Sequence, residues 1–159
     1  MPYQAVILTV SDSCAAGTRT DTSGPAIRGM LENAGFAVQA MQTVPDEEEQ
    51  ISAAIVHACD ILQADLVVTT GGTGLSPCDV TPEATLAVLD REIRAIPVAM
   101  WVEGLKSTPR AMLSCAVAGT RGHTLVLNVP GSEKAARENL GAVVATLDHA
   151  LRMLAGGGH

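Results

Sequence analysis

Residues 66–83, LVVTTGGTGLSPCDVTPE, decide how this chain folds. The apolar, β-branched run 66–70 has the pattern of a strand buried in a parallel sheet. Three glycines follow within four residues, and a helix is predicted to begin at Thr81-Pro82-Glu83, with Thr81 as N-cap and Pro82 at the first helical position. A strand, a glycine loop and a helix in succession form one unit of an α/β fold.

The glycine loop 71–74 also predicts a binding site. Its backbone N–H groups have no strand partner, and such amides bind anions, so we expect a phosphate-bearing ligand with Asp79 beside it. A P-loop is excluded because Gly-Lys-Ser/Thr does not occur, and the dinucleotide fingerprint lacks its third glycine. The alternative is a simple chain reversal, which rarely needs three glycines flanked by three threonines.

Composition predicts one α/β domain, residues 1–155, followed by a flexible tail, 156–159. Hydrophobic residues make up 47% of the 159 residues but aromatic residues only 2%, so small aliphatic side chains must fill the core. The formal charge of −7 and the absence of a basic stripe argue against nucleic-acid binding. In such an acidic protein a phosphate must be held by amides, by a few arginines, or by a divalent metal on carboxylates.

The cysteines and the hydropathy pattern predict a soluble, cytoplasmic protein. The four cysteines are scattered without a CxxC pair, which is typical of reduced thiols rather than of a zinc site. The N-terminus does not resemble a signal peptide, and no apolar run reaches about 18 residues, so we expect no membrane span.

The order of elements predicts a mostly parallel sheet with one antiparallel hairpin. Strands are expected at 5–10, 36–44, 66–70, 110–117 and 124–129, and the last two are joined by the short connection 118–123. Helices are expected from Ser23 to Gly35, from about 45 to 62, from Thr81 to Leu89 and from about 133 to 154, whereas 93–107 is less regular.

Asp46 permits two interpretations. It can be the N-cap of the second predicted helix, with Glu49 three residues later as in a capping box. It also follows a parallel strand, as Asp79 does, and ligands of open parallel sheets gather at the carboxyl ends of strands. Ser11, Asp12 and Ser114 can likewise cap turns or bind ligand.

Several segments together resemble the molybdopterin adenylyltransferase family. The strongest is TTGGTGLSPCDVTPEAT at 69–85. The others, in family order, are TVSD at 9–12, AAGTRTDTSGP at 15–25, VPDE at 44–47, TPRAMLS at 108–114 and LNVPGS at 127–132. The resemblance covers nearly the whole chain.

This resemblance implies a three-layer α/β/α, molybdopterin-binding-domain-like fold that assembles as a homotrimer. The family joins the terminal phosphate of molybdopterin to the α-phosphate of ATP in a step that needs Mg²⁺ and releases pyrophosphate, upstream of a molybdenum insertase. The implied catalytic and metal-binding residues are Asp46 and Asp79. The predicted substrate-binding residues are Ser11, Asp12, Thr70, Gly71, Gly72, Thr73, Gly74, Ser114, Pro130, Gly131 and Ser132.

Two departures from the family pattern keep alternatives open. Cys78 stands where the family usually has Arg, and Val98 and Trp101 replace an ionisable Glu and Arg. One alternative is a non-catalytic relative that binds a pterin or a nucleotide without turning it over. Another is an interaction module, like the same domain within molybdenum-inserting enzymes.

Overall fold

The computed structural model describes residues 2–157. In chain order its elements are β1 (Gln4–Val10), α1 (Asp12–Ala15), α2 (Ser23–Asn33), β2 (Ala37–Val44), α3 (Glu48–Val56), a π-helical turn (His57–Ile61), β3 (Leu66–Thr70), α4 (Thr81–Leu86), β4 (Arg91–Glu92), α5 (Ala95–Leu105), a 3₁₀ helix (Pro109–Leu113), β5 (Ala118–Arg121), β6 (Thr124–Val129) and α6 (Glu133–Leu154).

The strands form one six-stranded mixed sheet in the order β2-β1-β3-β6-β5-β4. The four strands β2, β1, β3 and β6 are parallel, and β5 and β4 continue the sheet in antiparallel pairings. The predicted parallel sheet with an antiparallel hairpin is therefore confirmed. Because parallel strands need crossover connections, helices cover both faces.

The two faces of the sheet bury separate apolar clusters, as the alternation of side chains along a strand requires. Ala5 and Ile7 pack with residues of α2, α5 and α6 on one face. Val6 and Leu8 pack with residues of α3 and α4 on the other. These two clusters make the fold a three-layer α/β/α sandwich, and aliphatic side chains fill it as the composition predicts.

The prediction for the first hairpin strand was wrong. Residues 109–113 form a 3₁₀ helix that Thr108 caps through its side chain, which accepts a hydrogen bond from the Arg110 amide at 3.3 Å. The strand lies at Ala118–Arg121, within the predicted connection, and only Gly122 and His123 turn the chain. Apolar residues at 111–117 resemble a strand, but Pro109 and the Thr108 cap favour a helical turn locally.

The predicted N-caps were also wrong. α4 begins at Thr81 itself, with Val80 as N-cap and Pro82 second in the helix. α3 begins at Glu48, with Glu47 as N-cap, so Asp46 lies outside the helix and does not cap it. The segment predicted to be less regular contains α5, because Pro97 lies in the first helical turn, where its missing N–H costs nothing.

Two features concern the chain beyond the sandwich. Within residues 2–157, no helix is both long and apolar enough to cross a membrane. The predicted tail, 156–159, starts with a turn that closes α6, in which the Gly157 amide donates to the Arg152 carbonyl at 3.0 Å. Residues 158 and 159 lie outside the described residues, so the flexible tail stays a prediction.

Candidate functional site

A cleft of about 830 Å³ opens at the carboxyl edge of the parallel strands. Thr9, Thr70 and Val129 lie side by side in the register of β1, β3 and β6, so the loops that follow these strands meet. The predicted site residues that line the cleft are Ser11, Asp46, Thr70, Gly71, Gly72, Thr73, Gly74, Asp79, Ser114, Pro130, Gly131 and Ser132. A crevice at this edge of an open sheet is the usual ligand position in α/β proteins.

The conformation and packing of the glycine loop exclude side chains at Gly71 and Gly72. Gly71 and Gly72 have φ values of +102° and +70°, which side-chain-bearing residues rarely adopt. A Cβ at Gly71 would collide with the carbonyl oxygen of Val10, and one at Gly131 would lie 3.2 Å from the Cα of Gly71. The loops after β1, β3 and β6 therefore pack backbone against backbone, which leaves room for a ligand but not for side chains.

Asp46 is bound to Asp12 by a reciprocal pair of hydrogen bonds. The Asp12 amide donates to the Asp46 carboxylate at 3.0 Å, and the Asp46 amide donates to the Asp12 carboxylate at 2.8 Å. Asp12 is the one predicted site residue that does not line the cleft, and it acts here by holding Asp46. These contacts orient Asp46 towards the cleft rather than towards the first turn of α3.

Asp79 closes the far side of the glycine loop. Its carboxylate accepts a hydrogen bond from the Ser76 amide at 3.1 Å, and its own amide donates to the Ser76 carbonyl at 2.9 Å. A Cβ added to Gly74 would lie 2.9 Å from the Asp79 carboxylate, so this side chain lies directly over the loop.

The two predicted catalytic carboxylates influence each other. Partial burial raises the pKa of Asp46; the hydrogen bond from the Asp12 amide opposes this, and repulsion from the Asp12 and Asp79 carboxylates adds to it. Carboxylates that repel one another across a cleft gain from a shared cation. Perturbed carboxylates in a cleft are typical of functional sites.

Thr81 has an unmatched hydroxyl beside these carboxylates. Within residues 2–157 its fully buried Oγ1 makes no hydrogen bond. A Cβ at Gly72 would collide with this hydroxyl and would lie 3.3 Å from a carboxylate oxygen of Asp46. We call Asp12, Asp46, Gly72, Asp79 and Thr81 the carboxylate rim. A buried polar group without a partner costs stability, and such groups often mark functional sites.

A chain of matched hydroxyls also lines the cleft, and among its members only Thr70 was predicted as a site residue. Thr9, Asp21, Ser23 and Thr70 form this hydroxyl floor, and each polar side chain in it has a hydrogen-bond partner. Thr70 Oγ1 lies 3.1 Å from Ser23 Oγ and 2.8 Å from the Pro130 carbonyl oxygen, so the floor connects β3 to the loop after β6.

Sequence reasoning also missed three cations. Arg19, Arg110 and Lys134 line the cleft, although they come from three distant parts of the chain. In the part of the chain that the structure describes, their side chains form neither ion pairs nor hydrogen bonds. Arg19 and Arg110 lie within segments that carry the family resemblance, and only that signal could have indicated them; Lys134 has no such signal.

Ser114 joins the site through a neighbouring loop. Its hydroxyl lies 3.4 Å from Thr73 Oγ1, and the next amide, that of Cys115, donates to the Thr73 carbonyl at 2.7 Å. The segment after the 3₁₀ helix therefore holds the glycine loop from the side of β5, a role that depends on its not being the predicted strand.

A protein-family model described as "Probable molybdopterin binding domain" matches residues 6–149. The chain belongs to this family. Because the match spans nearly the whole sandwich, the matched family domain and the described fold coincide, and the residues that line the cleft fall within the match.

The named relatives of this chain fall into two groups by length. Gephyrin of Dictyostelium discoideum is 40% identical over 93% of this chain but only 22% of its own length. The chain likewise spans 25% and 50% of the next two curated relatives. Molybdopterin adenylyltransferase of Helicobacter pylori is 36% identical over 94% of this chain and 86% of its own length.

Solved structures agree with the fold. The molybdopterin biosynthesis enzyme MoaB of Thermus thermophilus superposes with a TM-score of 0.92, with 47% identity over 98% of each chain. This chain therefore has the same three-layer sandwich as that solved structure over 98% of its length.

The departures from the family pattern are not among the residues that line the cleft. Neither Val98 nor Trp101 nor Cys78 is among the described residues that line it. Val98 is 48% exposed on α5, and the Trp101 indole nitrogen is buried with no hydrogen-bond partner in the described part of the chain.

Proposed function

We propose that this protein transfers the adenylyl group of ATP to the terminal phosphate of molybdopterin and releases pyrophosphate, in a step that requires Mg²⁺. The observation that carries this proposal is one cleft in which a glycine loop, two facing carboxylates and three cations without carboxylate partners come together. Full-length relatives named molybdopterin adenylyltransferase support it. Molybdenum cofactor biosynthesis is accordingly the process we assign.

The backbone and the hydroxyls of the cleft would bind the phosphates. The Gly71 amide donates to the Val129 carbonyl at 3.1 Å, so among residues 2–157 the loop amides that remain for a ligand are those of 72–74. Ser132 caps α6, whose N-terminus is favourable for an anion. Backbone donors in such fixed positions stabilise phosphate charge without reorganising during the reaction. They are compatible with a net charge of −7, because they bring no cationic side chain.

The three cationic side chains would neutralise the phosphate charge that the backbone amides do not balance. Arg19 approaches from the loop after α1, Arg110 from the 3₁₀ helix and Lys134 from the first turn of α6. Two phosphorylated substrates repel one another, and cations on separate sides of the cleft allow both to be bound together. Adenylyl transfer consists largely of such positioning and charge stabilisation, so it needs no activated side-chain nucleophile.

The carboxylate rim fits Mg²⁺. Asp46 and Asp79 would hold it, since Mg²⁺ prefers oxygen ligands and is usually bound by one or two carboxylates together with substrate phosphates. Within residues 2–157 no three His, Cys, Asp or Glu side chains cluster as a complete metal cage, which agrees with a site that substrate must complete. When bound, the metal would neutralise phosphate oxygens, while Asp12 keeps Asp46 oriented.

Assembly, location and partners belong to the same proposal. We propose a cytoplasmic homotrimer that hands its adenylylated product to a molybdenum insertase. The four free cysteines support a reducing compartment. A stripe of exposed Val98, Val102 and Leu105 at helical spacing on α5 supports a subunit contact. Light scattering on Val102→Asp should show smaller particles than wild type, and a wild-type monomer at micromolar concentration would contradict the trimer.

The test of the function is a reaction with ATP, Mg²⁺ and molybdopterin, followed by mass detection of the adenylylated pterin and by measurement of released pyrophosphate. We expect both products in equal amounts, and neither product without Mg²⁺. Calorimetric titration of the same protein with ATP and with molybdopterin separates binding from turnover. Binding of both ligands without pyrophosphate release would instead identify a non-catalytic relative.

A further inference from the structure

We propose that Asp21 is a positioning residue, which holds the three ligand-binding loops in register through the hydroxyl floor without itself binding metal or phosphate. This inference rests on the proposed function, because it concerns how the same cleft is shaped. It assigns a role to a carboxylate that lies outside the carboxylate rim.

Asp21 connects the end of β1 to the start of α2. One carboxylate oxygen accepts a hydrogen bond from the Thr9 hydroxyl at 2.8 Å, and the other accepts from the Gly24 amide at 3.0 Å and the Ser23 hydroxyl at 3.3 Å. The first amides of a helix have no partner within the helix, so Asp21 replaces the capping bond that Thr22, the N-cap residue, does not make.

The packing around Asp21 is tight. A Cβ at Gly24 would collide with the Asp21 carboxylate and would lie 3.0 Å from the Thr9 hydroxyl. Thr9 and Ser23 are only 5% and 4% exposed. Water therefore cannot easily replace Asp21 as the acceptor for these hydroxyls, and loss of its carboxylate leaves buried donors unmatched.

The contacts continue from Asp21 into the loops that meet at the cleft. Ser23 lies 3.1 Å from Thr70, and Thr70 lies 2.8 Å from the Pro130 carbonyl oxygen. Thr70 precedes Gly71, and Pro130 precedes Gly131, whose backbones touch. A displacement at Asp21 thus reaches the glycine loop and the loop before α6 through three consecutive contacts.

The three partners of Asp21 define what a substitution should do. Asn keeps an oxygen for Gly24 and Ser23, and its amide nitrogen can donate to the Thr9 hydroxyl, which then acts as acceptor. Asp21→Asn therefore preserves the hydrogen bonds of the floor while it removes the charge, whereas Asp21→Ala removes both the hydrogen bonds and the charge. A carboxylate that binds metal or takes a proton would instead be impaired by both substitutions, since both remove the charge.

The experiment is calorimetric titration of Mg²⁺-ATP into wild type, Asp21→Asn, Asp21→Ala and the control Asp65→Ala. Asp65 accepts a hydrogen bond from the Gln4 amide at 2.7 Å, at the opposite end of the sheet, so its removal costs a similar bond far from the cleft. We expect Asp21→Ala to weaken ATP binding about tenfold or more, while Asp21→Asn stays within about threefold of wild type, as a small displacement of a binding loop predicts. Asp65→Ala should bind ATP as wild type does.

Two results would overturn the inference. Equal weakening in Asp21→Asn and Asp21→Ala would mean that the charge acts on the ligand or its metal directly, and an Asp21→Ala variant that binds like Asp65→Ala would mean a structural role only. If Asp21→Ala does not fold, Thr9→Val against Thr9→Ser gives the same comparison, with weaker binding expected only for Val. A wild type that binds ATP but releases no pyrophosphate with molybdopterin refutes the proposed function alone, and one that binds no ATP refutes both.

Discussion

The carboxylate rim and the hydroxyl floor both contribute residues to one cleft and both contain aspartate and threonine, but they differ in how well their polar groups are matched. In the floor, every hydroxyl and the Asp21 carboxylate have protein partners. In the rim, the Thr81 hydroxyl has none among residues 2–157, and burial with neighbouring carboxylates raises the pKa of Asp46. The floor is thus already complete, whereas the rim lacks positive charge.

This difference indicates that the residues of the floor shape the cleft, whereas those of the rim are suited to bind a ligand. Buried polar groups without hydrogen-bond partners and residues with positive φ values lower the stability of the fold. They persist at functional sites, where a bound ligand compensates for this loss. Matched groups keep the surrounding loops in one conformation, which pre-organises the site. The rim should therefore depend on charge and the floor on hydrogen-bond geometry.

The largest effect is expected at Asp79. Asp79→Asn keeps an oxygen for the Ser76 amide, so the loop should remain folded, but it removes a carboxylate from the proposed metal-binding pair. We expect pyrophosphate release to fall about 10²-fold or more with an unchanged melting temperature. A variant that keeps more than half of wild-type turnover would show that the rim does not hold the metal through Asp79.

The second-largest effect is expected for Asp46→Asn. The helix that follows begins at Glu48 without a cap from Asp46, so the substitution should leave the melting temperature within a few degrees of wild type. Most of the Mg²⁺-dependent pyrophosphate release should be lost, because Mg²⁺ requires the carboxylate charge. Wild-type activity in this variant would show that Asp46 does not take part in the reaction and that the rim does not depend on its charge.

Gly72→Ala tests whether the glycine loop is shaped for ligand. The new Cβ would collide with the Thr81 hydroxyl and approach Asp46, and we expect ATP binding to weaken about tenfold because the amides can no longer receive a phosphate closely. Gly122→Ala is the matched control, since Gly122 also has a positive φ of +58° but nothing within 4 Å of the added Cβ.

Gly122→Ala should lose about 1–2 kcal/mol of stability through backbone strain, and Gly72→Ala should lose more, because its Cβ also collides with the buried Thr81 hydroxyl. Calorimetry should find weaker ATP binding only in Gly72→Ala. Equal ATP affinities for the two variants would mean that the loop 71–74 turns the chain and does not bind phosphate.

The smallest effect concerns the pH dependence of stability without metal. Burial raises the pKa of Asp46 in the folded protein, so the protonated carboxyl favours the folded state. This stabilisation is complete below the unfolded pKa and is lost as the pH rises through the folded pKa. Relative to wild type, Asp46→Asn should therefore become more stable as the pH rises from about 3 to 7.

Thermal melts of wild type and Asp46→Asn across this pH range measure the difference directly. Addition of Mg²⁺ at neutral pH should raise the melting temperature of wild type and leave that of the variant unchanged, because a ligand stabilises only the state that binds it. A pH-independent difference between the two proteins would show that the Asp46 carboxyl is not perturbed by the rim.

Sequence patterns predicted the strand β3, the glycine loop and α6 well, but failed where distant contacts decide. Residues 110–117 carry strand-like apolar residues, yet the Asn128 side chain accepts from the Val117 amide, the Cys115 amide donates to Thr73, and the strand starts only at Ala118. Asp46 has the spacing of an N-cap, yet the Asp12 amide binds its carboxylate. Pro109 and the Thr108 cap favour the helical turn at 109–113, contacts from other parts of the chain outweigh the strand propensity of the residues that follow, and the Asp12 contact decides between the two interpretations of Asp46.

The sequence by itself determined the α/β class, the parallel strands and the position of the glycine loop, because side-chain periodicity and turn residues are properties of a few neighbouring residues. Only the tertiary structure decided that Arg19, Arg110 and Lys134 face one cleft, that Thr81 has no partner there within the described residues, and that Asp21 connects β1 to α2. These facts depend on which loops meet at the carboxyl edge of the sheet. That meeting follows from strand order, which no local stretch of sequence encodes.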